Sequence, residues 1–291
     1  MSKPGQPVGE RVDRPVERAL FRALFDDAAV FPPGIAPLPQ AVADHVARQS
    51  GPYADLVGPL LLPASAIEDF LHLDRPPQVE VALIGRTGAD LELVDDATSR
   101  LGQDPGVTLT GVEIGWSPQW ERAVGWSASL SVEVPRSAGQ QRALSELQRH
   151  AAGPGLVQAN FRTGATTDTP APTLTELAVF IRAAVDHDLG FKLTGGLHHA
   201  ISQTTAEGQN QIGFLNVIAA TRWALAHGAE VPEMETLLAQ REPVPILDII
   251  TRMSGADASV VRAFFTAYGC CGVMDPIGDL GSLGLIKEPT G

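Results

Sequence analysis

Residues 190–200 bring together Lys192, the glycine pair Gly195-Gly196 and the adjacent histidines His198 and His199. An amine on a strand can attack a carbonyl and form an imine once its proton is removed. Imidazoles move protons near neutrality, and paired glycines let backbone N–H groups approach an anion closely. Lysine usage sharpens the reading. Of 21 basic residues only three are lysines, Lys3, Lys192 and Lys287, and two of these sit near the chain ends. Arginine replaces lysine as a surface charge, but not where an amine must lose its proton. Lys192 is therefore the candidate nucleophile.

The neighbouring chain supplies partners. Strand-like runs cover residues 107–114, 129–134, 156–161 and 191–194. Side chains alternate faces along a strand, so parity sorts them. Glu113 shares a face with Gly111, and Glu133 with Ser129 and Ser131. Gln158, Asn160 and Arg162 share one face, and so do Lys192 and Thr194. The opposite faces carry Leu130, Val132, Val157, Phe161 and Leu193. Polar residues facing inward and apolar residues facing outer helices are the pattern of a parallel barrel with a site at its C-terminal end. Glu113, Glu133, Arg162 and Lys192 are expected to share a cavity there, with burial or Arg162 lowering the proton affinity of Lys192. The same four charges would also satisfy one another as a purely structural ion network. Arg162 and the glycine pair could hold an anionic group beside Asn160 and Thr194. His198, His199, Glu113 and Glu133 form the alternative constellation, a divalent site for Zn or Mn. Cys271 has no evident base partner and reads as a packed thiol.

These residues need elements to hold them. Helical spacing marks residues 38–46, 65–73, 90–101, 140–150, 173–186 and 213–227, with Thr173 and Glu176 in capping-box spacing. Shorter helices fit residues 16–25 and 118–124. Further strands fit residues 26–31, 57–62 and 79–84. Residues 228–248 look irregular, and a last helix is expected over 256–268. The eighth strand is either 246–250 or 270–274. Strand and helix alternate without a linker, which gives an α/β chain folded as a (β/α)₈ TIM-like barrel over residues 16–291, after a flexible tail at 1–15.

Composition narrows the partners. The chain has 291 residues, 44% of them hydrophobic, which suits a large core. Its formal net charge of -13 repels nucleic-acid backbones and anionic membranes. No apolar run is long enough to span a bilayer, and the N-terminus lacks an apolar signal core, so a cytoplasmic protein is expected. Cys270 and Cys271 are the only cysteines and form no disulfide framework. A homo-oligomer is compatible with this composition.

Two resemblances add to this. Lys192-Leu-Thr-Gly-Gly196 is similar to the imine-forming strand of class I aldolases of the deoxyribose-phosphate aldolase type, and Asp26-Asp27 after a short helix echoes the same enzymes. More of the chain resembles a widespread uncharacterised protein family with the motifs Arg-Thr-Gly-Gly, Lys-Ala-Thr-Ala-Gly-Leu-His-His, His-Gly-Phe-Leu-Asn and Ser-Cys-Ser-Phe-Asp-Glu-Pro. The matching stretches are residues 162–165, 192–199, 213–216 and 271–276, with Asp26-Asp27 and Phe31-Pro32-Pro33 near the start. This resemblance adds Asp27 and Asn216 to the substrate contacts. Ala165, Ile212 and Asn160 depart from the family, standing where it has glycine, histidine and lysine.

The expected protein is an aldolase-like lyase acting on a small anionic carbonyl compound through a Schiff base on Lys192, without a cofactor. Glu113, Glu133, His198 and His199 would move protons. The rivals are a metal-dependent lyase, isomerase or hydrolase, and a non-catalytic metabolite-binding protein.

Overall fold

The computed structural model describes residues 18–76, 78–151, 156–167, 169–204 and 210–287. The expected tail at 1–15 lies outside these residues. Eight parallel strands close into a barrel: β1 (Phe25–Asp27), β2 (Val57–Pro63), β3 (Val79–Ile84), β4 (Val107–Gly115), β5 (Ser129–Glu133), β6 (Leu156–Arg162), β7 (Phe191–Thr194) and β8 (Phe265–Cys270). Consecutive strands are neighbours, and β8 closes the ring between β7 and β1. This is the expected (β/α)₈ TIM-like barrel.

Helices cover its outside: α1 (Leu38–Gln49), α2 (Ile67–Leu71), α3 (Leu91–Gln103), α4 (Gln140–Gln148), α5 (Leu174–Asp186) and α6 (Phe214–His227), then α7 (Val231–Ala239), α8 (Pro243–Thr251), α9 (Gly255–Phe264) and α10 (Met274–Ser282). The outward strand residues, Val112, Ile114, Leu130, Val132, Val157, Phe161, Phe191 and Leu193, are buried in one core with the inner faces of these helices. On α5 the Thr173 side chain accepts from the Glu176 N–H while Glu176 accepts from the Thr173 N–H. Two otherwise orphaned donors are thereby satisfied at the helix start.

The C-terminal quarter differs from the sequence expectation. Residues 228–248 are not irregular but carry α7 and the start of α8, each with a proline in its first turn, where a missing N–H costs nothing. The apolar segment 246–250 therefore lies within α8 and not in a strand. The helix expected over 256–268 stops at Phe264, and the eighth strand begins at Phe265. Neither expected segment is that strand: 270–274 leaves the barrel after Cys270 and runs into α10. Phe264, Phe265 and Tyr268 fit a helix stripe as well as a strand, so periodicity alone extends the helix too far. Nearer the start, the described part of 16–25 and the segment 118–124 carry 3-10 turns in place of the expected helices, Arg18–Phe21 and Trp120–Ala123.

Strand register sets the height of each inward residue. Strands tilt in a barrel, so residues at one level shift by one position per strand. The pairings Lys192↔Asn160, Glu133↔Asn160, Ser131↔Glu113, Ala82↔Gly111 and Asp27↔Leu60 place Asp26, Ala82, Ser131 and Lys192 in one layer from alternate strands. Glu113 and Asn160 lie one step toward the C-terminal ends. Gly111 and Gln158 lie one step toward the N-terminal ends.

Candidate active site

Lys192 sits at mid-barrel, 6% exposed, and its Nζ donates to Asp26 Oδ2 and Glu113 Oε1. Asp26 and Glu113 are 3% and 5% exposed, so all three charges are removed from bulk water. Gly58 makes this possible. A Cβ at that position would overlap Asp26 Oδ1, so glycine leaves room for the carboxylate. Asn160 extends the group. Its Nδ2 donates to Glu113 Oε2 at 3.3 Å, and its Oδ1 accepts from Thr194 Oγ1 at 2.9 Å.

Burial alone would strip the proton from Lys192, but the two carboxylates reverse this and hold its proton affinity above that of an ordinary lysine. Burial pushes the Asp26 carboxyl up, against the opposing pull of Lys192. Both groups thus favour holding a proton, and a proton passed from Lys192 to Asp26 turns an ion pair into a neutral pair at low dielectric cost. The expected lowering of Lys192 is corrected here. Arg162 does not bear on it, because Arg162 is committed elsewhere.

Arg162 pairs with Glu133 through two bonds, Nη2 to Oε2 at 2.8 Å and Nε to Oε1 at 3.3 Å. Thr87 Oγ1 also donates to Glu133 Oε1, at 3.1 Å. The four expected charges therefore form two separate pairs, Lys192 with Glu113 deep in the barrel and Arg162 with Glu133 above it near the C-terminal ends. Arg162 and Glu133 stay partly exposed, as a rim to the site.

Gly195 and Gly196 follow β7 with φ of +75° and +80°, a region closed to most side chains. A Cβ on Gly196 would also meet Thr163 O at 3.1 Å. Their N–H groups donate to no described residue. The loop is thus a tight backbone contact whose two amides stay available beside Thr194 and Arg162.

The remaining expected residues lie apart from Lys192. Asp27 points outward to α1, where it accepts from Arg48 at 2.6 Å and meets His45 Nδ1 at 3.0 Å. This follows from parity: Asp26 takes the inward position of β1, so Asp27 faces the helix layer. Asn216 is fully buried in α6. Its Oδ1 accepts from the Ser202 N–H at 2.9 Å, and its Nδ2 donates to Leu237 O and Gln240 O. It ties the β7–α6 loop to α7, away from the Lys192 trio. His199 meets Asp279 at 3.3 Å on the rim. His198 lies between the thiols of Cys270 and Cys271, at 3.8 and 3.9 Å from Nδ1, and burial lowers its proton affinity. His198, His199, Glu113 and Glu133 thus belong to four different contacts and do not converge. Among the described residues no group of three or more His, Cys, Asp or Glu side chains is arranged to hold a metal ion.

Asp26 is the residue that sequence reasoning passed over in favour of Asp27. Its one cue was parity with the small Ala28, too short a run to read as alternation in a three-residue strand. Comparison with protein-family models, curated proteins and solved structures finds no match to this chain. Barrels of this architecture commonly carry enzymatic sites at the C-terminal ends of their strands. Among the described residues no helix is long and apolar enough to cross a membrane.

Proposed function

We propose that this protein is an aldolase-like lyase that binds a small carbonyl compound and activates it as an imine on Lys192. The observation that carries this reading is the buried Asp26–Lys192–Glu113 trio, on a barrel that supplies the amine and two proton acceptors in one contact group. Asp26 takes a proton from the ammonium, and the free amine attacks the carbonyl carbon. The protonated Asp26 returns that proton to the carbinolamine hydroxyl, which leaves as water as the C=N bond forms. Glu113, held by Asn160, then serves the substrate's own proton transfers. The cationic iminium replaces the ammonium between the same two carboxylates, so the charge the site must stabilise changes little along the path. Arg162 and the N–H groups of Gly195 and Gly196 support an anionic substrate group at the C-terminal mouth.

An imine flanked by a C–H bond exchanges that hydrogen through its enamine. In deuterium oxide, small aldehydes and keto acids are expected to gain deuterium at the carbon beside the carbonyl in the presence of the parent protein, followed by NMR. Lys192→Met is expected to reduce this to the buffer rate. Equal exchange by parent and variant, or none by the parent over a broad panel, would contradict the reading.

A further inference from the structure

The space next to Lys192 lies on the side away from the substrate mouth. A cavity of about 210 Å³ is lined by Asp26, Glu113 and Lys192 at its head and by Ser131, Gln158 and Gly111 in its body. Thr110, Ser129, Leu156 and Thr266 line its other end. These last residues stand at or near the starts of β4, β5, β6 and β8, so the cavity runs toward the N-terminal end of the barrel. Leu156 is 47% exposed there, and Thr110, Ser129 and Thr266 are partly exposed, which makes this end a mouth.

Packing does not require such a space. Barrel interiors are ordinarily filled by layers of bulky branched side chains. Here the layer at and below Lys192 holds Ala82, Gly111, Ser129, Ser131 and Ala267, which leave the volume open. The walls are also organised. Thr266 Oγ1 donates to Gln158 Oε1 at 2.7 Å, and Gln158 Nε2 donates to Ser131 Oγ at 2.9 Å. That chain fixes Ser131 as an acceptor toward Gln158 and leaves its own O–H free to turn into the cavity. The head of the cavity sets two carboxylates against one ammonium in its lining, with the buried Arg262 guanidinium acting on Asp26 from outside that lining.

We propose that this cavity is a second binding chamber, opening at the N-terminal end of the barrel, for small neutral or singly cationic hydrogen-bonding molecules of the ammonium or methylammonium class. It admits them to the far side of the Asp26–Lys192–Glu113 trio and turns anions away. Water and small amines thereby reach Lys192 by a path separate from the C-terminal mouth. This assignment goes beyond the proposed reaction and does not depend on it.

The test reads chemical access and not turnover. Ser131→Cys places a thiol deep in the cavity, and peptide mapping separates its labelling from that of Cys270 and Cys271. In the folded variant, a cationic aminoethyl methanethiosulfonate is expected to label the introduced thiol about tenfold faster or more than the anionic sulfonatoethyl reagent, given local focusing by the carboxylates. Millimolar methylammonium is expected to slow the cationic label. Ser129→Cys, at the mouth, repeats the comparison and decides the matter if Ser131→Cys does not fold. Two results would overturn the proposal: a thiol that labels only after unfolding, or equal rates with both reagents.

Discussion

At the residue scale, Lys192 is held by Asp26 and Glu113, and its removal is expected to leave two carboxylates facing each other out of water. Lys192→Met should therefore destabilise the protein by about 3–5 kcal/mol, as when one partner of a buried pair is lost. Adding Glu113→Gln should recover part of this loss, and urea unfolding of the single and double variants measures both. Gly58→Ala attacks the same group sterically, because its Cβ overlaps Asp26 Oδ1. It is expected to reduce exchange at the substrate carbon even though residue 58 bears no reactive atom. His198 supplies a pH dependence. Its proton affinity in the folded protein is lowered below the ordinary value of 6.5, so the unfolded chain binds the proton more readily. The stability tied to this group is complete above about pH 6.5 and is lost as pH falls through the lowered folded value. His198→Asn should flatten that part of the acid limb of a stability-versus-pH curve, and a curve unchanged by the substitution would deny His198 this role. The sequence made Lys192, Glu113, Glu133, Asn160 and Arg162 legible because parity alone sorts a strand into faces. It could not pair them. Which cation meets which carboxylate depends on strand tilt and register, properties of the closed ring and not of any one strand. Asp26 was obscured for a related reason, since a three-residue strand with adjacent aspartates offers almost no alternation to read.

At the element scale, helices and strands with a single period were plain in the chain, and those with mixed signals were not. The Thr173–Glu176 capping box was visible as spacing and is formed as hydrogen bonds. Thr173→Ala is expected to cost about 1 kcal/mol, the usual loss for an N-cap, read by thermal or chemical unfolding. The β7–α6 loop depends on glycine at 196, where φ is +80° and Thr163 O stands close. Gly196→Ala should cost about 1–2 kcal/mol in backbone strain alone and weaken binding of anionic carbonyl compounds. The elements missed were α7, α8 and β8. Prolines at 232, 243 and 245 interrupt the helical spacing of this stretch, although two of these helices begin with them. At Phe265 the chain passes directly from helix to strand with no turn residue between, so nothing local marks the boundary.

At the scale of the whole molecule, closure is what makes the site. Asp26 comes from the first strand, Glu113 from the fourth and Lys192 from the seventh, and β8 joins β7 to β1. A chain ending at Phe264 would leave β1 and β7 with open edges and separate Asp26 from Lys192. It is expected to show no cooperative melt by circular dichroism, and a native-like melt would refute this dependence on the last strand. Alternation of strand and helix was enough to choose a barrel, because eight such units close a ring. It was not enough to reveal that the N-terminal half of that ring is left open beside Lys192, since small residues there carry no pattern.

The central claim is that Lys192 forms an imine, and borohydride trapping tests it most directly. The protein is incubated with small aldehydes and keto acids in the presence of a mild borohydride, and the adduct is mapped by mass spectrometry. A reduced adduct on Lys192, absent from Lys3 and Lys287 and lost in Asp26→Asn, is the predicted result. Absence of any adduct on Lys192 across the panel, or equal modification of all three lysines, would contradict the account.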